Sequence, residues 1–302
     1  MARRRKGNPV HGWLILDKPA GMTSTQAVGR VRRAYNAQKA GHAGTLDPLA
    51  TGVLPIALGE ATKTVPFAVD GEKVYRFTVR WGVETSTDDT EGPARETSPL
   101  RPARSGIEAM LPRFIGEILQ VPPAFSALKI DGERAYDLAR DGETVVLEPR
   151  PVVIDELQLV EMPDADTAVF EATCGKGTYV RALARDFGRE LGCFGHVCAL
   201  RRVRVGAFDE SRAITIGQLD AEAAELPPLL PAEDALQDLI GLTLSSSDAA
   251  RLARGQAVLV RGRDAPVLSG MAFATSKGRL IALGELARGE FRPTRVFNFS
   301  DA

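Results

Sequence analysis

The chain has 302 residues, of which 44% are hydrophobic and 25% charged, and its formal net charge is −1. This composition is typical of a folded, water-soluble protein and excludes a disordered, collagen-like or disulfide-rich chain. No run approaches the ~18 apolar residues of a membrane span, and three cysteines without a secretory signal predict free thiols, so we expect a cytoplasmic protein. A net charge near zero excludes a uniformly basic surface, so any anionic partner must bind a local basic patch.

The first predicted elements are a strand over residues 12–18 and a helix capped by Thr23 and Ser24, whose apolar side chains recur at helical spacing. The opposite side of this helix is basic and carries Arg30, Arg32 and Arg33. Residues 41–52 lack a regular period and are rich in glycine, threonine and proline, which predicts an ordered loop. A further strand is expected over 53–58.

In the middle of the chain, residues 73–81 alternate strictly between apolar and mostly polar positions. Tyr75 lies on the apolar side, which predicts a half-buried antiparallel strand. We expect an irregular crossing or loop over 84–105. The predicted helices here cover 107–119, with a breaker at Pro112, and 131–142.

Later segments complete an α+β pattern. Strands are predicted over 152–162, 168–174 and 197–208, with a helix between the last two. Because no strand–helix–strand repeat is present, we expect a mixed, mainly antiparallel sheet with flanking helices. A proline-containing acidic stretch then precedes a tail with a short helix and strands over 258–260, 271–275, 280–283 and 295–299. We therefore predict two domains, residues 1–240 and residues 241–302, the second small and β-rich.

The loop over 41–52 presents one carboxylate. Its glycines permit positive φ angles, and Asp47 precedes Pro48, which favours an extended backbone at Asp47. A carboxylate that is fixed and ionised is an adequate nucleophile. The alternative is an aspartate whose side chain closes a turn.

Arg181 breaks a local rule. With Thr178 as the N-cap, Arg181 is the third helical residue, where glutamate is favoured and the helix dipole disfavours a cation. A buried carboxylate elsewhere explains the exception, because a guanidinium holds such an acid ionised. The alternative is a side chain that reaches solvent.

Residues 41–52, Gly-His-Ala-Gly-Thr-Leu-Asp-Pro-Leu-Ala-Thr-Gly, closely resemble the signature of the tRNA pseudouridine-55 synthases of the TruB type. Several other motifs resemble that family in the same order along most of the chain. They lie at residues 16–24, 73–76, 126–129, 177–181 and 196–202. A set of motifs in one order is far more specific than any one of them.

The resemblance implies that the mixed sheet and its flanking helices form a catalytic cleft, and it implies three catalytic residues. Asp47 is the implied nucleophile. Tyr75 is implied to stack on the target base and take part in proton transfer, and Arg181 to pair with Asp47. Attack on C1′ or on C6 and assisted elimination to a glycal all remain open.

The resemblance also implies substrate-binding residues. Tyr179 and Leu200 are expected to line the uracil pocket, and His42 to hold the region of the flipped nucleotide open. Lys18 and Lys129 are expected near the RNA or the active site. One departure is Phe125, where many members carry tyrosine, so a hydroxyl role at that position is excluded.

The activity implied by the family is the conversion of uridine 55, in the T-arm of tRNA, to pseudouridine, with no cofactor or metal and no obligatory protein partner. We expect a monomer whose C-terminal domain resembles the RNA-binding PUA module. Phosphate contacts are expected from the basic face of the first helix and from residues 201–204.

Three alternatives compete with this interpretation. Cys174, Cys193, His196 and Cys198 invite a zinc site, although their spacing is not that of zinc modules. A non-catalytic RNA-binding or RNA-folding protein is the second. The third is the guide-RNA-dependent relative of the same family, which acts within a multi-protein particle.

Overall fold

The computed structural model describes residues 7–126, 128–130, 133–134, 147–220, 226–260 and 269–299. Their helices are α1 Ser24–Ala34, α2 Val65–Asp70, α3 Arg104–Met110, α4 Val180–Glu190, α5 Ile216–Asp220 and α6 Ser246–Ala253. Their first strands are β1 Gly12–Lys18, β2 Ala40–His42, β3 Thr51–Leu58, β4 Lys73–Trp81, β5 Val83–Thr85, β6 Ala94–Thr97, β7 Gly116–Gln120, β8 Lys129–Ile130 and β9 Glu133–Arg134. The later strands are β10 Arg150–Glu161, β11 Thr167–Cys174, β12 Gly195–Val205, β13 Phe208–Asp209, β14 Ile240–Thr243, β15 Val258–Leu259, β16 Gly270–Ser276, β17 Arg279–Ala287 and β18 Glu290–Val296.

A nine-stranded sheet forms the larger unit. Seven strands follow the order β1-β3-β12-β4-β11-β10-β7, while β2 pairs with β3 and β13 with β12. Among these described strands the β3–β12 pair is parallel and the others are antiparallel. The predicted α+β fold with a mixed, mainly antiparallel sheet is confirmed.

Aromatic packing fixes α4 against this sheet. Phe77 of β4, Phe170 of β11 and Phe187 of α4 are fully buried. The ring centroids lie 5.5 Å apart for Phe77 and Phe170 and 5.3 Å apart for Phe170 and Phe187. Burial of each ring contributes about 1.5–3 kcal/mol. Because α4 begins at Val180, this packing also sets the position of Arg181.

The helix predicted over 107–119 is wrong in its second half. α3 ends at Met110, a 3₁₀ turn covers Leu111–Phe114, and Gly116–Gln120 is the edge strand β7, paired with β10. Proline lacks the N–H that a continuing helix needs, and Gly116 has a φ of +94°, which ends the helical path. The helix predicted over 131–142 lies outside the described residues except for β9.

Two segments predicted as loops contain strands. β5 and β6 pair as a two-stranded sheet within 84–105, and Ala40–His42 pairs with β3 at the start of the 41–52 loop. Backbone pairing across a turn satisfies N–H and C=O groups irrespective of side-chain period, so alternation did not reveal these short strands.

The C-terminal part forms a separate five-stranded sheet, in the order β14-β16-β17-β18-β15, with α6 packed on it. The strand predicted over 295–299 is misplaced, because β18 ends at Val296. A shared apolar cluster that includes Trp13, Phe208, Leu236 and Leu280 joins this sheet to the larger unit. No helix in the described part of the chain is long and apolar enough to cross a membrane.

Candidate active site

Asp47 lies in the loop between β2 and β3, and this loop is tied to the start of α1. The Ser24 hydroxyl accepts from the Leu46 N–H at 2.9 Å and donates to the Leu46 carbonyl at 3.0 Å. The Gly21 N–H donates to the Pro48 carbonyl at 2.8 Å. Hydrogen bonds on either side of Asp47 therefore hold its backbone, while its side chain remains 36% exposed.

Two buried cations support the same loop from below. The Lys18 ammonium has no exposed surface and donates to the carbonyls of Met22 at 2.7 Å, Pro19 at 2.9 Å and Pro48 at 3.3 Å. Burial lowers the pKa of Lys18 to about 8, against the opposing effect of the nearby Asp47 carboxylate. Lys18 therefore lies beneath the loop that carries Asp47, and its ammonium is held by backbone carbonyls.

Arg202 is the second buried cation, with 1% of its surface exposed. It donates to the carbonyls of Val53 at 2.9 Å, Gly44 at 3.1 Å and Thr45 at 3.4 Å. The predicted phosphate contact from Arg202 is therefore wrong, because its guanidinium is used inside the protein. The backbone carbonyls replace the water that the guanidinium loses on burial, so Arg202 can hold the loop in place from inside the protein.

Arg181 is buried, with 5% of its side chain exposed, so the solvent-facing alternative is also wrong. Its Nε lies 2.9 Å from Oδ2 of Asp47, and its Nη1 lies 3.3 Å from Oδ2 of Asp89. The guanidinium also donates to the carbonyls of Thr87 at 2.8 Å and Phe125 at 2.9 Å. The expected contact between Arg181 and Asp47 is present, and a second carboxylate shares the same cation.

The helix start differs from the prediction by one residue. Tyr179, not Thr178, is the N-cap of α4, and Arg181 is its second helical residue. The Thr178 hydroxyl donates instead to the Gly175 carbonyl at 3.2 Å, within the turn before the helix. The Tyr179 backbone is held on both sides by the Gln120 side chain, at 2.8 Å and 3.2 Å.

A stripe of arginines along α4 meets acidic residues of the β5–β6 region. Arg185 pairs with Asp88 at 3.0 Å, one turn beyond Arg181, and Arg189 pairs with Glu84 at 2.6 Å, one turn further. Burial raises the pKa of Asp88 to about 6, although Arg185 opposes the shift. Asp88 and Asp89 are therefore not a solvated acidic face.

Asp47, Tyr75, Arg181, Tyr179 and Leu200 line one pocket of about 270 Å³. Five of the eight predicted site residues are thus brought together around one cavity. Burial raises the pKa of the Tyr75 hydroxyl, opposed by the Arg202 charge, and burial likewise raises the pKa of Tyr179. Both phenols are neutral at physiological pH.

Lys18 and His42 are not among the described residues that line this pocket. His42 ends β2, and burial and the Arg202 charge lower its pKa, so its imidazole is neutral. Its Nδ1 is buried without a hydrogen-bond partner in the described part of the chain. Lys129 belongs to β8, and its side chain lies outside the described residues.

Lys73 is a pocket residue that the sequence did not single out. It is 6% exposed, lines the pocket and donates to the Gly71 carbonyl at 2.5 Å and to that of Val69. Burial lowers its pKa, and the Arg202 charge adds to that shift. Its position at the start of β4, in the motif 73–76, was the available signal.

The cysteines do not assemble a ligand set within the described residues, where no group of three or more His, Cys, Asp or Glu side chains is placed to hold a metal ion. Nδ1 of His196 instead lies 2.8 Å from the Val83 carbonyl. Burial raises the pKa of the thiols of Cys174 and Cys193, which keeps both protonated.

Comparison with known proteins identifies relatives over nearly the whole chain. A family model described as TruB family pseudouridylate synthase (N terminal domain) matches residues 32–180. A model described as tRNA pseudouridylate synthase B C-terminal domain matches residues 181–240. A protein from Bradyrhizobium diazoefficiens named tRNA pseudouridine synthase B is 60% identical, with 99% of this chain and 91% of the relative covered. One of the same name from Rhodopseudomonas palustris is 62% identical, covering 98% and 83%.

Solved structures show a similar fold. A chain from the crystal structure of a Cbf5-Nop10-Gar1 complex has a TM-score of 0.71 and 25% identity, covering 96% of this chain and 85% of that one. A chain from an H/ACA RNP bound to a substrate RNA containing 2′-deoxyuridine has a TM-score of 0.72 and 23% identity, covering 99% and 92%.

Proposed function

Because the chain belongs to the TruB family of pseudouridylate synthases and isomerises uridine to pseudouridine in tRNA, we propose that Asp47 is its nucleophile and that the pocket around it receives one extruded uridine. The observation that carries the proposal is the Asp47–Arg181 pair at 2.9 Å on the wall of a cavity of about 270 Å³. Among the residues that the structure describes, Asp47 supplies the one carboxylate that lines that cavity.

The reaction explains why a carboxylate needs this setting. The C1′–N1 bond of uridine breaks, the uracil turns, and C1′ joins C5, which releases the C5 proton. A buried acid tends to be protonated and is then a poor nucleophile, whereas an adjacent guanidinium favours the ionised form. Asp47 has one such neighbour and a partly exposed oxygen, so its reactive face is free while its charge is supported.

The base-binding residues have matching chemistry. An enzyme that alters a base must take it out of the stack, at a cost of a few kcal/mol. Stacking on an aromatic side chain returns about 1–3 kcal/mol per base. Tyr75 offers that ring, and Tyr179 and Leu200 supply apolar walls. We assign His42 to the nucleotide flanking the target and Lys129 to the RNA strand outside the pocket.

We further propose uridine 55 of the T-arm as the target, a monomeric enzyme without an obligatory protein partner or cofactor, and action in the cytoplasm. The separate sheet of residues 240–296 is assigned as a PUA-like RNA-binding domain that follows a catalytic domain ending near residue 240. Its support is the compact five-stranded arrangement that begins at β14.

A tritium-release assay tests the proposal. Purified protein is mixed with a T-arm stem-loop tritiated at uracil C5, without cofactor or guide RNA, and compared with Asp47→Asn and Asp47→Ala. We expect release at one uridine by wild type and a loss of at least about 10⁴-fold in both variants, which still bind RNA. Asp70→Asn, an exposed aspartate paired with Lys176 at the pocket rim, is the matched control.

The outcomes separate the alternatives. Near-normal turnover by Asp47→Asn contradicts the nucleophile assignment. RNA binding by wild type without tritium release from the stem-loop or from full-length tRNA favours the RNA-folding protein. Release only after addition of a guide RNA favours the guide-dependent relative.

A further inference from the structure

Two buried cations on the wall of the active-site pocket have no carboxylate partner within the described residues. Lys73 is 6% exposed and Arg202 is 1% exposed, and both line the pocket. Their acceptors are backbone carbonyls, whereas Arg181 on the same wall contacts Asp47. A buried charge without a counter-charge is costly to keep, so this local excess of positive charge calls for a ligand that gains negative charge.

Both cations stand beside Tyr75 on one face of the sheet. Residues two apart in a strand point to the same face, which places Lys73 on the side of Tyr75 in β4. Arg202 of β12 is the register partner of Tyr75, and residues directly opposite each other also share a face. Because Tyr75 is the ring on which we expect the uracil to stack, both cations lie next to the position of the base.

The Lys73 ammonium has donor capacity to spare. It carries three N–H groups. The described chain supplies acceptors for two of them, the carbonyls of Val69 and Gly71 at the end of α2. A cap on that helix end accounts for these two contacts. It does not account for the third N–H group or for the position of the lysine on the pocket wall.

The reaction places negative charge on the uracil. When the C1′–N1 bond breaks, its electron pair stays on the base and is shared among N1, O2 and O4, while C1′ bonds to the Asp47 carboxylate or becomes part of a glycal. If Asp47 first adds to C6, the electron pair of the C5–C6 double bond moves to O4 instead. The charge disappears when C5 bonds to C1′, after which the C5 proton leaves and N1 gains a proton. A fixed cation beside the base stabilises the charged stage of each route.

We propose that Lys73 is a catalytic residue whose ammonium donates to a carbonyl oxygen of the extruded uracil and stabilises the negative charge that develops there. The inference rests on the proposed function, because it requires the target uridine to occupy this pocket. It divides the work between two side chains. Asp47 supplies the group that attacks, and Lys73 supplies the counter-charge for the base.

Lys73→Met tests the inference, with Lys176→Met as matched control. Both variants remove a lysine of the pocket wall, but Lys176 is 68% exposed and paired with Asp70. Lys73→Met should lower the single-turnover rate on a T-arm stem-loop by about 10²–10³-fold, and Lys176→Met by less than about threefold. Neither should change the Kd of the RNA by more than about threefold, because the charge forms after binding. Lys73→Arg, which keeps a charged donor, should recover at least about tenfold of the lost rate.

A second substrate separates catalysis from a structural role of Lys73. Fluorine at C5 withdraws electrons and makes uracil a better leaving group, so a stem-loop with 5-fluorouridine at the target position needs less stabilisation. Lys73→Met should therefore lose at least about tenfold less rate on this stem-loop than on the uridine stem-loop. The rearranged fluorinated nucleoside is measured by mass spectrometry of nuclease digests. A displaced Tyr75 or a displaced Asp47 loop slows both substrates equally.

Lys73→Gln keeps a neutral donor near the end of α2 and replaces Lys73→Met if urea denaturation shows that the methionine variant is unfolded. It should show the same difference between the two substrates. Equal losses on both stem-loops, or a near-normal rate of the folded variant on uridine, overturn the inference and leave the assignment of Asp47 intact. If Asp47→Asn retains turnover, or if wild type forms no pseudouridine, the proposed function itself fails.

Discussion

Two helices of this protein carry arginines on one side, and they use them in opposite ways. Along α4, Arg181 and Arg185 are buried and Arg189 is exposed, and each contacts a carboxylate of the 84–89 region. Along α1, Arg32 and Arg33 are exposed, and the helix itself contains no acidic residue. The difference teaches that arginines on one side of a helix can join two segments of the fold, as in α4, or add positive charge to the surface, as in α1.

The largest effect is expected at the end of α4 that touches the site. Arg181→Ala leaves Asp47 and Asp89 without their shared cation, so turnover should fall by about 10²–10³-fold. The free energy of unfolding should also fall by about 3–5 kcal/mol, because buried Asp89 loses its partner. Single-turnover kinetics and urea denaturation measure the two effects separately.

The matched control for that variant is Arg189→Ala at the other end of the same helix. The Arg189 side chain is 53% exposed and lies far from the pocket end of α4. Its removal leaves the buried Glu84 carboxylate without this partner. If Arg189→Ala reduces turnover as much as Arg181→Ala, the effect reflects loss of α4 as a whole and the comparison fails.

The second effect is expected at Arg185, in the middle of the α4 arginines, and should appear in the free energy of unfolding. Arg185→Met removes the partner of Asp88, and both side chains are less than 10% exposed, so the free energy of unfolding should fall by about 3–5 kcal/mol. Turnover of the folded fraction should change far less than in Arg181→Ala. Adding Asp88→Asn should restore part of the lost stability, since no unpaired buried charge then remains.

The features that the sequence predicted are local, whereas those that it did not predict depend on contacts between distant segments. The strands at 73–81 and 168–174 were predictable because their apolar residues alternate, and the strand at 12–18 because a short apolar run ends before Pro19 and Gly21. The cation at the start of α4 indicated a carboxylate partner, and the resemblance to the TruB family implied that Asp47 is that partner. Burial of Lys18 and Arg202 was not predictable, since it depends on backbone carbonyls that only the folded chain brings together.

The edge strand β7 shows a further limit. Its residues alternate weakly, and Leu119, the fourth of its five residues, is 73% exposed, so the segment resembles the end of the preceding helix. Its assignment as a strand comes from pairing with β10, about thirty residues later in the chain. Local pattern does not contain that information.

The third prediction extends the comparison to a buried lysine. The Lys18 ammonium, which grips the loop and faces Asp47, has a pKa lowered to about 8, so kcat/KM should fall about tenfold between pH 7 and pH 9. The unfolded chain retains the ordinary pKa of 10.5 and binds this proton more strongly in that window. The contribution of Lys18 to folding stability therefore rises with pH, and the activity loss is not unfolding.

A pH profile of kcat/KM and denaturation curves at pH 7 and pH 9 measure these two trends. Lys176→Met is the control, because Lys176 also lines the pocket but is 68% exposed and paired with Asp70. It should leave the alkaline limb in place, whereas Lys18→Met should abolish it in the activity that remains. An alkaline limb that persists in Lys18→Met assigns the titration to another group.

The smallest effect distinguishes the arginines of β12 from those of α1. Arg204 pairs with Glu72, and Arg201 lies between Asp17, at 3.0 Å, and Glu210. Because these pairs are partly exposed, Arg204→Gln should change the free energy of unfolding by less than about 1 kcal/mol. It should also leave the salt dependence of tRNA binding unchanged, since a guanidinium that already holds a carboxylate releases few counterions from RNA. Arg33→Gln, which changes an arginine of α1, is measured under the same conditions. If both variants lower the slope of log Kd against log salt equally, Arg204 leaves Glu72 to bind phosphate, and an ion pair within the protein does not keep an arginine from binding RNA.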